Sequence, residues 1–388
     1  TPVAPPSAPV APPSAPVAPS PSPAPPPAAE PVEIPTGVRA EVIARVRAGE
    51  ALLGMNLAGA DLSGLDLKDA RLSDADLAGA NLARAKLAGA KLVGAKLAGA
   101  DLTAASLGGA DLSRADLSRA VLDDARLEAA DLSDAVLTMA SGERSQLAGA
   151  RCERANFARG KWMNAIFDGA KLAHADLTGA RVDAATFRAA DLTSARLTEL
   201  VGEDVSLSQA RLDDATLTGA TLPGADLTEA SCDRSAWEGA EIDRACLDGC
   251  SLKGAKMSRT SLIATTARGA ILDEADVSNA VAEGIDLTDA SLERANMRQT
   301  KLAGAKLGGA RLAAANLQRV VAGDADFQRA DLSGASLRLA NLRGANLAGA
   351  TLDGTDLRDA NLMGARLTGV DRSKAKLAGA NLKDVDES

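Results

Sequence analysis

"AGAKLVGAKLAGADL" (residues 88–102) carries a leucine at every fifth position, each with an alanine two residues before it. Five matches neither common period. A step of five turns an α-helix by about 140°, which smears the leucines around every face. In a straight strand the same step reverses the face each time. A chain that runs extended for a few residues and then turns a corner, once per pentapeptide, does bury the leucines together. Each leucine then points at a common axis and each alanine fills the space beside it. Gly and small polar residues two after the leucine suit the corner.

The register extends far beyond this stretch. From Met55 to Asp384 it runs through 66 consecutive pentapeptides, centred on Leu57, Leu62, Leu67 and onward to Leu382. Leucine fills 47 centres, 60 centres are Leu, Ile, Val, Met, Phe, Trp or Cys, and Ala stands two before the centre in 51. A repeat of this length outranks every other signal in the chain. Successive coils stacked at about 4.8 Å would pair their backbones with the coils above and below.

Composition agrees with thin repeated layers. The 388 residues include no Tyr, four Phe, two Trp and one His, so the apolar content is mostly Leu and Ala. Residues 1–35 hold fifteen of the sixteen prolines and open on a tandem "VAPPSAP". Such a leader cannot bury a core and favours polyproline II, so it reads as a disordered linker. Residues 36–54 read as an amphipathic capping helix, with Val38, Val42, Val46 and Leu53 at helical spacing and Thr36 as N-cap. Residues 55–385 form the repeat. Thr1 is not an initiator methionine, so a processed chain or a module of something longer is expected. The four cysteines, Cys152, Cys232, Cys246 and Cys250, read as free thiols in a reducing cytoplasm. No secretory signal or membrane-spanning run is legible.

The units "ADLSG", "ANLAR", "AKLAG", "ADLTA" and "ANLRG" resemble those of pentapeptide-repeat proteins, over about 85% of the chain. The resemblance implies an all-β solenoid: a right-handed quadrilateral β-helix with four pentapeptides per coil. That gives about 16 coils here and a rod roughly 80 Å long. Some members of the family bind DNA gyrase by imitating DNA. The lead-in "RAGEALLGMNLAGADLSGLDL" (residues 47–67) also looks like the start of repeat tails on some type VI secretion accessory proteins of Gram-negative bacteria.

The pattern fails at six centres: Gly142, Gly202, Ala267, Ala282, Ala322 and Arg372. At twenty residues per coil, Gly142, Gly202, Ala282 and Ala322 share one face, and each is followed by acidic residues. Glu143, Arg144, Glu203, Asp204, Glu283 and Asp324 are therefore the candidate interaction strip, an acidic line with recesses in the core beneath it. The bland reading is tolerated packing defects. Phe157, Trp162 and Phe167 are consecutive centres, so one coil holds three aromatics and is expected to swell or bend.

Catalysis is not expected. His174 sits at an outward corner, no His–Cys–carboxylate set offers a metal site, and Cys246 and Cys250 read as packing thiols. No cofactor is implied. The expected function is a non-enzymatic rod-like scaffold for a protein partner, appended to a larger bacterial protein, with a type VI secretion adaptor as one form. The alternative is a DNA-mimicking regulator or protector of gyrase. Against it, residues 55–388 carry 48 acidic and 40 basic residues, whereas ~80 Å of B-DNA carries about 47 phosphate charges. Ice binding would need threonine ladders that the charged, irregular outward positions lack. Neither direct nucleic-acid binding nor a membrane is expected. The C-terminal coil is expected to cap itself with charge, with stacking on a second copy as the alternative.

Overall fold

The computed structural model describes residues 37–388. The expectations for the proline-rich leader and for Thr36 lie outside the described residues. Helix α1 spans Val38–Arg47, with Gly37 at its N-cap and no side-chain cap. It is shorter than 36–54. Val42 is buried and Val46 partly so, but Val38 at the start of the helix is exposed, and so is Leu53, because the chain has left the helix before it. Arg39 ties α1 to the solenoid by donating to the carbonyl oxygens of Asp61 and Ser63, both at 2.9 Å.

The repeat folds as a stack of coils with a period of twenty residues. Parallel bridges join residues before a centre to the residue twenty further on, from Asn56↔Asp76 through to Arg366↔Asp386, and the ladder breaks once, between Thr351 and Asp371 beside the Arg372 centre. One bridge falls every five residues, so each coil has four sides. The bonding is regular: the Leu57 N–H donates to the Asp76 carbonyl at 2.6 Å, and the Asp76 N–H donates back to Met55 at 2.8 Å. Leu52 already donates to Arg71 at 2.8 Å and is fully buried, so the coil geometry begins one pentapeptide before Leu57. The four faces are named by their centres: face I (Leu57, Leu77 …), face II (Leu62, Leu82 …), face III (Leu67, Leu87 …) and face IV (Leu72, Leu92 …).

Nearly every corner is a turn closed by a bond from the residue after it to the centre, as in Ala60 N–H to Leu57 at 3.1 Å; the corner after Gly202 lacks this bond. The residue two after the centre takes a positive φ in every unit but that of Arg372. Glycine adopts this freely, as at Gly59. Here Arg144, Met139, Leu339 and many others adopt it too, at φ near +58°. The expectation of small corner residues is therefore too narrow. The backbone bonds on both sides hold the corner whatever its side chain, and that side chain points to solvent.

Leu and Ala at the inward positions form one continuous core. Phe157, Trp162 and Phe167 are buried in it with edge-on ring contacts at 5.1–5.8 Å, and Phe187 stacks on Phe167 at 4.7 Å. The aromatics do not break the ladder between coils. The N–H groups of all three keep ladder bonds of 2.7 Å. The room comes from glycines: a Cβ on Gly142 would overlap the Trp162 ring, and one on Gly160 would overlap the Trp162 indole nitrogen. Where Thr replaces Ala, its hydroxyl donates to a carbonyl of the previous coil, as Thr260 does to Trp237 at 2.9 Å. The last coil is closed by charge: Arg372 pairs with Glu387 at 2.7 Å.

Candidate interaction face

The coil period places Glu143, Arg144, Glu203, Asp204, Glu283 and Asp324 together on face II. Glu143, Glu203 and Glu283 occupy one column, the position after the centre, three and four coils apart, or about 14 and 19 Å. Arg144, Asp204 and Asp324 occupy the adjoining corner column, all with positive φ.

Beneath the strip the core is filled. Gly142 holds the Trp162 ring. A Cβ on Gly202 would stand 2.7 Å from a methyl of Val182 and 2.7 Å from one of Val205, and Leu200 is also buried beside it. Large residues at the usual alanine positions thus replace the missing centres. Ile285 and Val320 stand the same way beside Ala282 and Ala322. Only Ala282 leaves space, an apolar cavity of about 20 Å³ lined by residues such as Leu262, Leu272 and Met297. The recesses expected from the sequence are packing exchanges between neighbouring positions.

The six strip residues divide by partnership. Arg144 grips Asp124 one coil below with two bonds of 2.7 Å and lies 3.8 Å from Glu143. The Arg144 hydrogen bond holds the Asp124 carboxyl below its ordinary range and raises the guanidinium in turn. The Glu143 N–H donates to Asp123 at 2.9 Å. The same stacked pairing joins Arg154 to Asp134 and Arg234 to Asp214. By contrast, the carboxylates of Glu203, Asp204, Glu283 and Asp324 have no cation within 4.0 Å among the described residues.

Other outward residues went unremarked in the sequence. Val201 and Val321 lie on face II before the centre, Ile263 after one, and Leu339 at the corner shared with face I, all exposed. Their signal in the sequence is an apolar residue at an outward position of the repeat.

His174 is exposed at its corner. Among the described residues no three His, Cys, Asp or Glu side chains gather as a metal would need. No helix among them is long and apolar enough to cross a membrane. Cys250 does not pair with Cys246: its Sγ lies 3.8 Å from that of Cys232 in the preceding coil. The hydrogen bond between the two thiols and their burial raise the Cys232 pKa well above normal.

A square coil of twenty residues built from A-x-L-x-x units has a counterpart among known proteins. The family model described as "Pentapeptide repeats" matches in stretches that begin at 56–92 and end at 345–384, together covering most of the chain. The chain belongs to the pentapeptide-repeat family. Its fold is the right-handed quadrilateral β-helix of that family. Among solved pentapeptide-repeat structures, HetL from Nostoc sp. PCC 7120, involved in heterocyst differentiation regulation, is 32% identical. That match covers 60% of this chain and 87% of HetL, with a TM-score of 0.21. Rfr23 from Cyanothece 51142 is 38% identical over 26% of this chain and 64% of its own, TM-score 0.17. QnrB1, a plasmid-mediated fluoroquinolone resistance protein, is 19% identical over 48% of this chain and 93% of its own, TM-score 0.28. No curated protein matches the pentapeptide-repeat chain.

Proposed function

We propose that this chain is a non-enzymatic scaffold of about sixteen coils that binds a protein partner along face II. One observation carries the reading. On face II, where Arg144 claims Asp124, the carboxylates of Glu203, Asp204, Glu283 and Asp324 have no cation within 4.0 Å among the described residues and line two adjoining columns, although carboxylates such as Asp226, Asp248 and Asp331 on other faces are also without one. A closed Leu/Ala core fixes their spacing, so little conformational freedom is lost on binding. The core offers no cleft for a substrate, and its cavity at Ala282 is small and apolar.

The test is retention of a partner by the immobilised full chain, compared with Glu203→Lys/Asp204→Lys and Glu283→Lys/Asp324→Lys variants. Loss of the retained protein in both supports face II. Unchanged retention removes it. The finer reading, a module of a type VI secretion adaptor in the bacterial cytoplasm, rests on residues 47–67 and predicts that the retained protein is a spike or effector component.

The DNA-mimic alternative has less behind it. Face II, the face with the most negative net charge, carries 13 acidic and 8 basic residues. Phosphate mimicry calls for a denser single sign of charge. A gyrase supercoiling assay is expected to run uninhibited in the presence of this chain, and inhibition would favour the alternative.

A further inference from the structure

Charge is segregated along the axis of the solenoid. Residues 203–248 hold 11 acidic and 3 basic side chains, whereas residues 294–343 hold 9 basic and 3 acidic. The two bands are centred between four and five coils apart, at heights symmetric about a level midway between the coils of Leu262 and Ala282. On face II and its edge with face I, the acidic band presents Glu203, Glu238 and Glu241. The basic band presents Arg298, Lys301 and Arg343. None of these six has an opposite charge within 4.0 Å among the described residues, although the solenoid pairs many of its other charges. All but the partly covered Glu238 are exposed.

We infer that face II binds a second copy of this chain, antiparallel, about a two-fold axis lying between the coils of Leu262 and Ala282. This rests on the reading of face II as the protein-binding surface, and names its partner. A two-fold axis in the contact plane, perpendicular to the rod, reverses the coil order and keeps each column opposite itself. The coil of Gly202 then faces that of Leu342, Leu222 faces Ala322, and Ile242 faces Leu302. Within those columns Glu203 meets Arg343, Glu241 meets Lys301 and Glu238 meets Arg298, each pair formed twice. No like charges oppose directly between Thr198 and Gly344.

Shape agrees with charge at the corners. Arg319 faces Gly219, Asp324 faces Gly224, Asp204 faces Gly344 and Arg244 faces Gly304. Four projecting corner side chains thus meet glycines, across three successive coil pairings, while Glu199 faces Leu339 and Arg259 faces Asn279. Exposed Val321 meets Thr221. A contact one face wide is small, so the dimer is weak, forms as concentration rises and loosens with salt.

Sedimentation of the full chain over a concentration series tests this, with two charge-reversed variants. Glu203→Arg/Glu241→Lys makes both sides of the 203–343 and 241–301 contacts positive, and Lys301→Glu/Arg343→Glu makes both sides negative. Each variant alone is expected to stay monomeric where the parent dimerises, with association weakened by roughly a hundredfold. An equimolar mixture of the two is expected to dimerise again, because every reversed column then meets its opposite. Exposed charge changes leave the core untouched, and unchanged circular dichroism checks this. A parent that stays monomeric at the highest concentration overturns the inference, as does a dimer that survives either variant or a mixture that stays monomeric. Retention of a different partner through face II would survive those outcomes, so the two readings fail separately.

Discussion

Gly142→Leu separates the two ways of reading a broken centre. On the repeat pattern alone it restores a missing leucine, and burying one stabilises by about 1.5–3 kcal/mol. The structure gives the opposite sign. Any Cβ at residue 142 overlaps Trp162, whose ring is walled in by Phe157 and Phe167, so the leucine overpacks the core. Overpacking costs about 1–3 kcal/mol. Trp162→Leu alone empties space and costs about 2–3 kcal/mol, less than the ~3–5 of a full truncation to alanine. Together the two substitutions rebuild two ordinary leucine centres, and the double variant should return to within about 1 kcal/mol of the parent. Because each coil contacts only its neighbours, a global melt dilutes the effect. Hydrogen exchange at the amides of Leu122, Gly142 and Trp162, which bond to the coil above, reads it locally. A 2 kcal/mol loss accelerates exchange about 30-fold in Gly142→Leu, and the double variant reverses it. Exchange as slow as the parent's in Gly142→Leu alone would refute the reasoning.

Ala282→Val fills the cavity of about 20 Å³. At about 24 cal/mol per Å³ of cavity, plus the buried methyls, it should stabilise by about 0.5–1.5 kcal/mol, read as a raised denaturation midpoint; a lowered midpoint would mean the space is already closed. Among the thiols, Cys152, Cys232 and Cys250 are buried and Cys246 is half-buried. Burial pushes the Cys152 thiol up, so a thiol reagent should count one reactive group in native protein and four in denaturant; a second fast thiol would contradict the core. The Arg358 side-chain hydrogen bond lowers Asp356 to about 2. That carboxylate's contribution to stability is therefore full above its ordinary range near 4 and lost as pH falls through about 2. Its titration, followed by carbon NMR, should move back toward the ordinary value in Arg358→Ala, and an unmoved midpoint would reject the pairing.

The five-residue turn was legible because every unit repeats the same inward pair, Ala and Leu. The number of sides was not, since no residue within one unit marks where the coil closes, and four came from the family resemblance. Gly142 looked like a recess because the residue that fills it, Trp162, is twenty positions away in sequence and one coil away in space. Leu52 was missed as a centre because Glu50 stands where alanine usually does. Cys246 is the near neighbour of Cys250 in sequence, but the contact of Cys250 is Cys232 across the coil step. The strip on face II was legible once a twenty-residue coil was assumed. Which of its charges are free was not, since that depends on pairs such as Arg144–Asp124 formed between coils.

Every face assignment depends on the twenty-residue period, and cysteine pairs test that period directly. In a Cys246→Ala background, Ala83→Cys with Thr103→Cys places two thiols on one column of face II in successive coils. Their Cα atoms should lie about 4.8 Å apart, inside the ~4.4–6.8 Å range of disulfides. Ala83→Cys with Ala98→Cys, fifteen residues apart, places them on different faces. The account predicts rapid intramolecular disulfide formation in the first pair and none in the second. Equal or faster cross-linking of the fifteen-residue pair would contradict the four-sided coil.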